Sequence, residues 1–363
     1  MPFIGNKPTA IPLSADDLED NIISTAKIQD NAVTAAKYIE PVPFRNIIIN
    51  GDMSIAQRST SESSYTSDTY STVDRMKTRV GSLGTWTISQ STDVPSGQGF
   101  AKSLKWDCTT ADASPSASDF LMLEHKIEGQ NLQYLKYGTS SAETVTLSFW
   151  VKSNKTGTGQ VNLRDYDNNK LLGGTYTISS ANTWEKKTIT YIGNTSDTLD
   201  NDNAVSLALE FWLDSGSDYT GGTAPTAWET RDQTDRNASG TLSLGDNTAN
   251  DWYITGIQLE AGTTASDFEF LPIDRNMSRC QRYYIKLNSE IYGNNNYDGT
   301  NNLQNYYMFR ELMRAGPTIT VGTAHGWSSG PTPASATSDG FRIYGAGNNV
   351  YIDPPGYIAD AEL

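Results

Sequence analysis

Asp251-Trp252-Tyr253-Ile254-Thr255-Gly256-Ile257-Gln258-Leu259-Glu260-Ala261-Gly262 answers an earlier run, Asn46-Ile47-Ile48-Ile49-Asn50-Gly51-Asp52-Met53. Each is a β-rich apolar run closed by glycine, with a carboxylate close by. Between them the chain carries short alternating segments and almost no helical period. Val145, Leu147, Phe149 and Val151 fall on one face of a strand, Thr146, Ser148, Trp150 and Lys152 on the other. Val205, Leu207, Leu209, Phe211 and Leu213 repeat the pattern, with Ser206, Ala208, Glu210 and Trp212 facing away. Further strands are predicted at 84–90, 101–107, 159–165, 184–192 and 252–259. Turns are predicted at Asp167-Asn168-Asn169, Gly173-Gly174, 194–203 and Gly221-Gly222. Many short strands joined by polar turns predict one closed β-sandwich.

Working outward, the chain divides into three: a leader at 1–43, a sandwich at 44–284 and a β-rich remainder at 285–363. In the leader, Asp20-Asn21-Ile22-Ile23-Ser24-Thr25-Ala26-Lys27-Ile28-Gln29 is followed at once by Asp30-Asn31-Ala32-Val33-Thr34-Ala35-Ala36-Lys37-Tyr38-Ile39. Two ten-residue units cannot bury an apolar face alone, so copies of the same chain are the simplest neighbours. The repeat suits an extended shaft, because Asp-Asn recurs as a turn signal, or an amphipathic helix; both require an oligomer. Pro41 and Pro43 close it. In the remainder, Gly293–Gly299 reads as a loop, and strands are predicted after Met313-Arg314-Ala315-Gly316-Pro317, at 341–344 and at 349–352.

Composition excludes several function classes. The 363 residues carry a net charge of −15, with 37% hydrophobic residues, 19 tyrosines and 8 tryptophans. An acidic surface repels phosphate backbones, which argues against nucleic acid as a partner. No stretch approaches the ~20 apolar residues that span a bilayer, so no membrane insertion is expected. The first residues lack a basic segment followed by an apolar run, so no signal peptide is read. Synthesis in a cytoplasm with the composition of an extracellular β protein fits a virion component released by lysis. Cys108 and Cys280 make neither a disulfide framework nor a zinc spacing, and His125 and His325 sit in unrelated contexts. Asp165-Tyr166-Asp167 places two carboxylates together, but acidic residues this common read as solvated turn residues, and no phosphate loop or nucleophile elbow occurs. The chain is read as non-catalytic.

Trp150 and Trp212 lie on polar faces. An indole beside Ser, Thr, Glu or Lys can stack on a sugar ring while its neighbours bond the hydroxyls, which makes Trp150, Trp212 and Glu210 candidate carbohydrate-binding residues. The alternative is that both indoles lie under loops or in a subunit interface.

Asn46–Met53, Ile127-Glu128-Gly129, Ser148–Val151 and Ile254–Gly262, in that order, resemble a carbohydrate-binding-module-like jelly roll of phage tail fibres and receptor-binding tail proteins. Phe268-Glu269-Phe270-Leu271-Pro272 and Cys280-Gln281-Arg282-Tyr283-Tyr284 resemble the segment that follows it. The resemblance covers most of 44–284. Tyr357–Leu363 and the Met313–Thr318 segment resemble the terminal domain of the same proteins. It implies an all-β chain: a thin N-terminal shaft, a central jelly-roll sandwich and a small β-rich C-terminal tip. It further implies a homotrimer in a virion tail, docked on other tail proteins through 1–43, that adheres to a host-surface polysaccharide or receptor. A capsid-surface fibre or tail spacer, and a glycan depolymerase, are the alternatives. Tyr297, Tyr306, Tyr307 and Trp327 are the candidate receptor contacts of the tip. No cofactor is required. Related jelly rolls hold a structural Ca²⁺ where first and last strands meet, which would place it at Asp52 and Asp251.

Overall fold

The computed structural model describes residues 44–293 and 303–363. The leader, its decapeptide repeat and Tyr297 lie outside the described residues. The sandwich contains, in chain order, β1 (Ser61–Tyr65), β2 (Asp68–Tyr70), β3 (Lys77–Gly81), β4 (Thr85–Ser91), β5 (Ser103–Thr110), β6 (Phe120–Glu128) and β7 (Val145–Ser153). It continues with β8 (Gly157–Asp165), β9 (Lys170–Ile178), β10 (Glu185–Tyr191), β11 (Val205–Ser215), β12 (Glu229–Thr230) and β13 (Asp251–Ala261). These make two antiparallel sheets, a six-stranded one ordered β1-β4-β5-β13-β7-β10 and a seven-stranded one ordered β12-β9-β8-β11-β6-β3-β2.

The predicted alternation sets the core. Val145, Leu147, Phe149 and Val151 of β7 join Leu207, Leu209, Phe211 and Leu213 of β11 inside one apolar cluster. Phe149 meets Phe211 and Tyr176 edge-on at 5.2 and 5.1 Å, the geometry the ring quadrupoles favour. The core is all-β in the way the sequence pattern requires, and the predicted strands at 145–152, 159–165 and 205–213 fall within their observed counterparts.

Two expectations need correction. Asn46–Met53 is not a strand. Asn50 and Met53 adopt φ of 62° and 60°, and the run is a turn held by side chains. Asn46 accepts from the Leu259 amide (3.1 Å) and donates to the Ile257 carbonyl (3.1 Å), while the Ile47 amide donates to the Leu259 carbonyl at 2.9 Å. The two runs therefore meet, but through an asparagine side chain as well as backbone. Gly173-Gly174 is not a turn either; it lies inside β9. A Cβ on Gly174 would stand 2.5 Å from Ile189 Cγ2, so glycine serves close packing there.

In β13 the register slips between Thr255 and Gln258. Gly256, at φ +63°, occupies this bulge. The extra residue keeps Trp252, Ile254, Ile257 and Leu259 all in the core.

After the sandwich, α1 (Ile273–Gln281) buries Asn276 and Cys280, one turn apart. Then follow β14 (Tyr284–Leu287), β15 (Ile291–Gly293), β16 (Leu303–Met308), β17 (Thr318–Val321), β18 (Ala324–Ala334), β19 (Gly340–Ile352) and β20 (Tyr357–Asp360). The strands predicted at 341–344 and 349–352 are one long strand, β19. A three-stranded sheet β14-β20-β17 and a second sheet centred on β19 enclose a separate apolar cluster around Phe341. Residues 44–363 pack as one compact unit.

Candidate functional site

The outward residues of the six-stranded sheet form two cross-strand rows. Lys105 (β5), Tyr253 (β13) and Lys152 (β7) are paired in register. In a second row, Thr255 (β13), Trp150 (β7) and Lys186 (β10) are paired in the same way. Trp184, just before β10, meets Tyr253 edge-on at 6.1 Å. The Lys152 ammonium lies 4.4 Å from the Tyr253 ring centre and 5.6 Å from that of Trp184, within range of cation–π attraction.

Asp93 organises this row. It pairs with Lys152 and accepts the Trp184 indole N–H at 2.9 Å. Desolvation works against its ionised form, but these two donors prevail and hold its pKa below the usual carboxylate value. Lys105 pairs with Asp107 at 2.8 Å. Beside Trp150 a cleft of about 240 Å³ opens, lined by Phe100, Phe268, Phe270, Gln98, Ser148 and Lys186. The three phenylalanine rings lie 4.9–5.1 Å apart, and Phe270 is 48% exposed. Gly256 makes this possible: a Cβ there would stand 2.5 Å from Phe100 and 3.2 Å from Trp150. Tyr253 itself is buried against Lys105, Lys152 and Trp184, so the rings the face presents are half-buried Trp150 and Trp184 and exposed Phe270. They are flanked by ammonium, amide and hydroxyl groups, the combination that holds the apolar face and the hydroxyls of a sugar.

Trp212 and Glu210 are elsewhere, and closed. They lie on the outer side of the seven-stranded sheet, where Tyr219, 4.9 Å from the indole, and Arg236 cover them. Trp212 is 1% exposed and Glu210 fully buried. Glu210 bonds Arg236 at 2.9 Å and lies 3.5 Å from Arg164. Burial opposes its charge, yet Arg236 and Arg164 keep its pKa below the ordinary value. The expectation that these two side chains meet a sugar is corrected: the segment after β11 folds back over them.

Asp52 and Asp251 do not meet. Asp52 sits by Gly51, whose carbonyl accepts from the Ile257 amide (2.9 Å), and it takes bonds from Ser54 and Asn276. Asp251 begins β13, six residues before Ile257, about 20 Å away at strand rise, and accepts from the Asn154 amide. A shared Ca²⁺ at these two carboxylates is ruled out by that span. Among the described residues no group of three or more His, Cys, Asp and Glu could hold a metal ion.

In the C-terminal part, Tyr306 is 52% exposed. Tyr307 stacks on Phe341 at 5.5 Å, and Trp327 packs against the same cluster with its indole donating to the Tyr351 carbonyl. Of the described tip candidates, Tyr306 is the open one. Sequence reasoning missed Trp184, Tyr253 and the phenylalanine cluster. Tyr253 was findable: it stands between Trp252 and Ile254, both core residues, so alternation turns it outward.

No family model matches the chain, and no curated protein matches it. Solved structures similar to it include the enzymatically active domain of tailspike protein 4 of bacteriophage CBA120, at 12% identity and a TM-score of 0.32. That likeness covers 61% of this chain and 22% of the tailspike. A family 4 carbohydrate-binding module is similar at 14% identity and TM-score 0.31, covering 59% of this chain and 99% of the module. A family 61 module in complex with β-1,4-galactotriose is similar at 10% identity and TM-score 0.31, covering 60% and 99%. Likenesses at this level carry no functional argument.

Proposed function

We propose that the chain is a non-catalytic glycan-binding component of a phage tail fibre, adhering to host-surface polysaccharide through the outer face of its six-stranded sheet. One observation carries the reading: half-buried Trp150 and Trp184 share the outer face with Lys105, Lys152 and Lys186 over a buried Tyr253, beside a cleft lined by phenylalanines. The decapeptide repeat at 20–39 supports a homotrimer, and residues 1–43 serve as the attachment to other virion proteins. Weak sites then suffice, because linking them raises avidity by roughly 10²–10⁴.

A tail spacer is the second reading, favoured by the internal pairing of Lys152 with Asp93 and of Lys105 with Asp107. Titration of the purified chain with host polysaccharide decides between them. Trp150→Ala is expected to weaken binding about tenfold, a loss of ~1.4 kcal/mol, and to leave the fold intact. No binding by the parent chain would favour the spacer, and unchanged binding by both Trp150→Ala and Trp184→Ala would overturn the sheet face as the site. Release of oligosaccharide during the incubation would overturn the non-catalytic reading, and a monomer in native mass measurement would overturn the trimer.

A further inference from the structure

A second, larger cleft of about 760 Å³ lies where α1 and the residues after β16 meet the sandwich, within the size range of ligand pockets. Three guanidinium groups line it: Arg279, Arg282 and Arg314. Arg282 is neutralised by Glu128 through two bonds of 2.9 and 2.7 Å. Arg314 spends its donors on the carbonyls of Ala361, Asn203 and Glu362 and has no carboxylate within ion-pair distance among the described residues. Arg279 is the least satisfied. It makes one hydrogen bond, to the Asn46 carbonyl at 3.3 Å, and no ion pair among the described residues. Burial lowers its pKa from the ordinary guanidinium value. A guanidinium has five donors in a planar fork that matches a carboxylate. Arg279 is half-buried, and Glu269 favours its charge from a distance without pairing with it, so a ligand carboxylate would be its first ion-pair partner among the described residues.

One carboxylate, Asp202, also lines the cleft and accepts the Ala204 amide at 2.9 Å; the rest of the wall suits a sugar. Tyr134 is 48% exposed and offers a ring face, while Asn131 and Ser338 offer an amide and a hydroxyl. We infer that this cleft binds a carboxylate-bearing sugar unit of an acidic polysaccharide, with Arg279 receiving the carboxylate and Arg314 supplying a second uncompensated positive charge. The inference rests on the reading that the chain holds glycans, but it uses a site remote in kind from the aromatic sheet face: charge recognition rather than stacking.

The test is calorimetric titration of the full chain, at low salt, with an oligogalacturonate and with the neutral oligogalactan of equal length. The acidic oligomer is expected to bind about tenfold more tightly or better, and the difference is expected to shrink as salt rises. Arg279→Gln should abolish it. Asn131→Trp, an exposed rim position, should abolish it by filling the cleft even if Arg279→Gln fails to fold. Trp150→Ala should lower binding of the neutral oligomer and leave the acidic preference in place. Equal binding of the two oligomers, or an acidic preference that survives Asn131→Trp, overturns the inference. Loss of neutral binding alone in Trp150→Ala keeps the sheet-face reading standing in either case.

Discussion

Asp214 near the end of β11 accepts the backbone amides of Ser215 and Gly245, each at 2.8 Å. Desolvation outweighs those bonds and raises its pKa to about 6. Asp74 is alike: burial prevails over the two bonds from Gln57 and raises it to about 6. In the unfolded chain both titrate at about 4. The stability that their protonated forms contribute is therefore complete below about pH 4 and is lost as pH rises through about 6. Each contributes on the order of 3 kcal/mol. Asp68 and Glu128 run the other way. Desolvation raises both, but arginine partners prevail and lower them, so their contribution is present above about pH 4 and fades in stronger acid. The melting temperature is expected to peak at about pH 4–5 and to fall toward neutral pH. Asp214→Asn should remove roughly half of that fall. A profile that is flat or rises between about pH 5 and 7 in differential scanning calorimetry would contradict the assignment.

At the scale of elements, the junction of the two end runs depends on a missing side chain. A Cβ on Gly51 would stand 2.0 Å from the Ile257 carbonyl oxygen, and backbone cannot yield as a flexible side chain can. Gly51→Ala is expected to cost about 2–4 kcal/mol by urea unfolding. Gly221→Ala, where no atom lies within 4 Å, should change stability by less than about 0.5 kcal/mol. Equal effects would refute the packing argument. The same junction shows what was legible in the sequence. The strands β7 and β11 could be read to within a residue or two, because their core-facing positions are strictly apolar while polar residues recur between them, even though both faces of β11 are buried. β6 could not: Phe120, Leu121, Met122 and Leu123 are apolar in succession, so no alternation survives. β9 was hidden by its glycine pair. Trp150 and Trp212 had the same local pattern and opposite fates, because alternation assigns a residue to a face and says nothing of a distant segment that later covers that face. Tyr219 and Arg236, which cover Trp212, are separated from it by loop, not by strand period.

At the scale of the whole molecule, the chain's last residues are part of the sandwich's support. Arg75 is fully buried; its guanidinium lies 3.6 Å over the Tyr283 ring and pairs with Glu362. Arg58 lies 3.2 Å from Asp360 and 3.3 Å from Glu362, and Arg282 reaches back to Glu128. Removing residues 285–363 would leave Arg75 without its counter-charge, so a truncated chain that fails to adsorb would report lost stability as readily as a lost receptor contact. Single substitutions separate the two. Glu362→Gln keeps the shape and removes the charge, and breaking a buried pair from one side costs about 3–5 kcal/mol. Residues 44–363 are then expected to melt earlier in a single transition, since the pair joins the sandwich to the C-terminal strands. Two resolved transitions, with the sandwich unmoved, would show that the parts are energetically independent. Tyr306→Ala, at an exposed position on β16, is expected to leave that melting point within about 1 °C, because surface substitutions stay within ~0.5 kcal/mol. Host adsorption that drops in Tyr306→Ala while melting stays unchanged would place a receptor contact on the C-terminal part, and adsorption equal to the parent's would remove Tyr306 as a receptor contact.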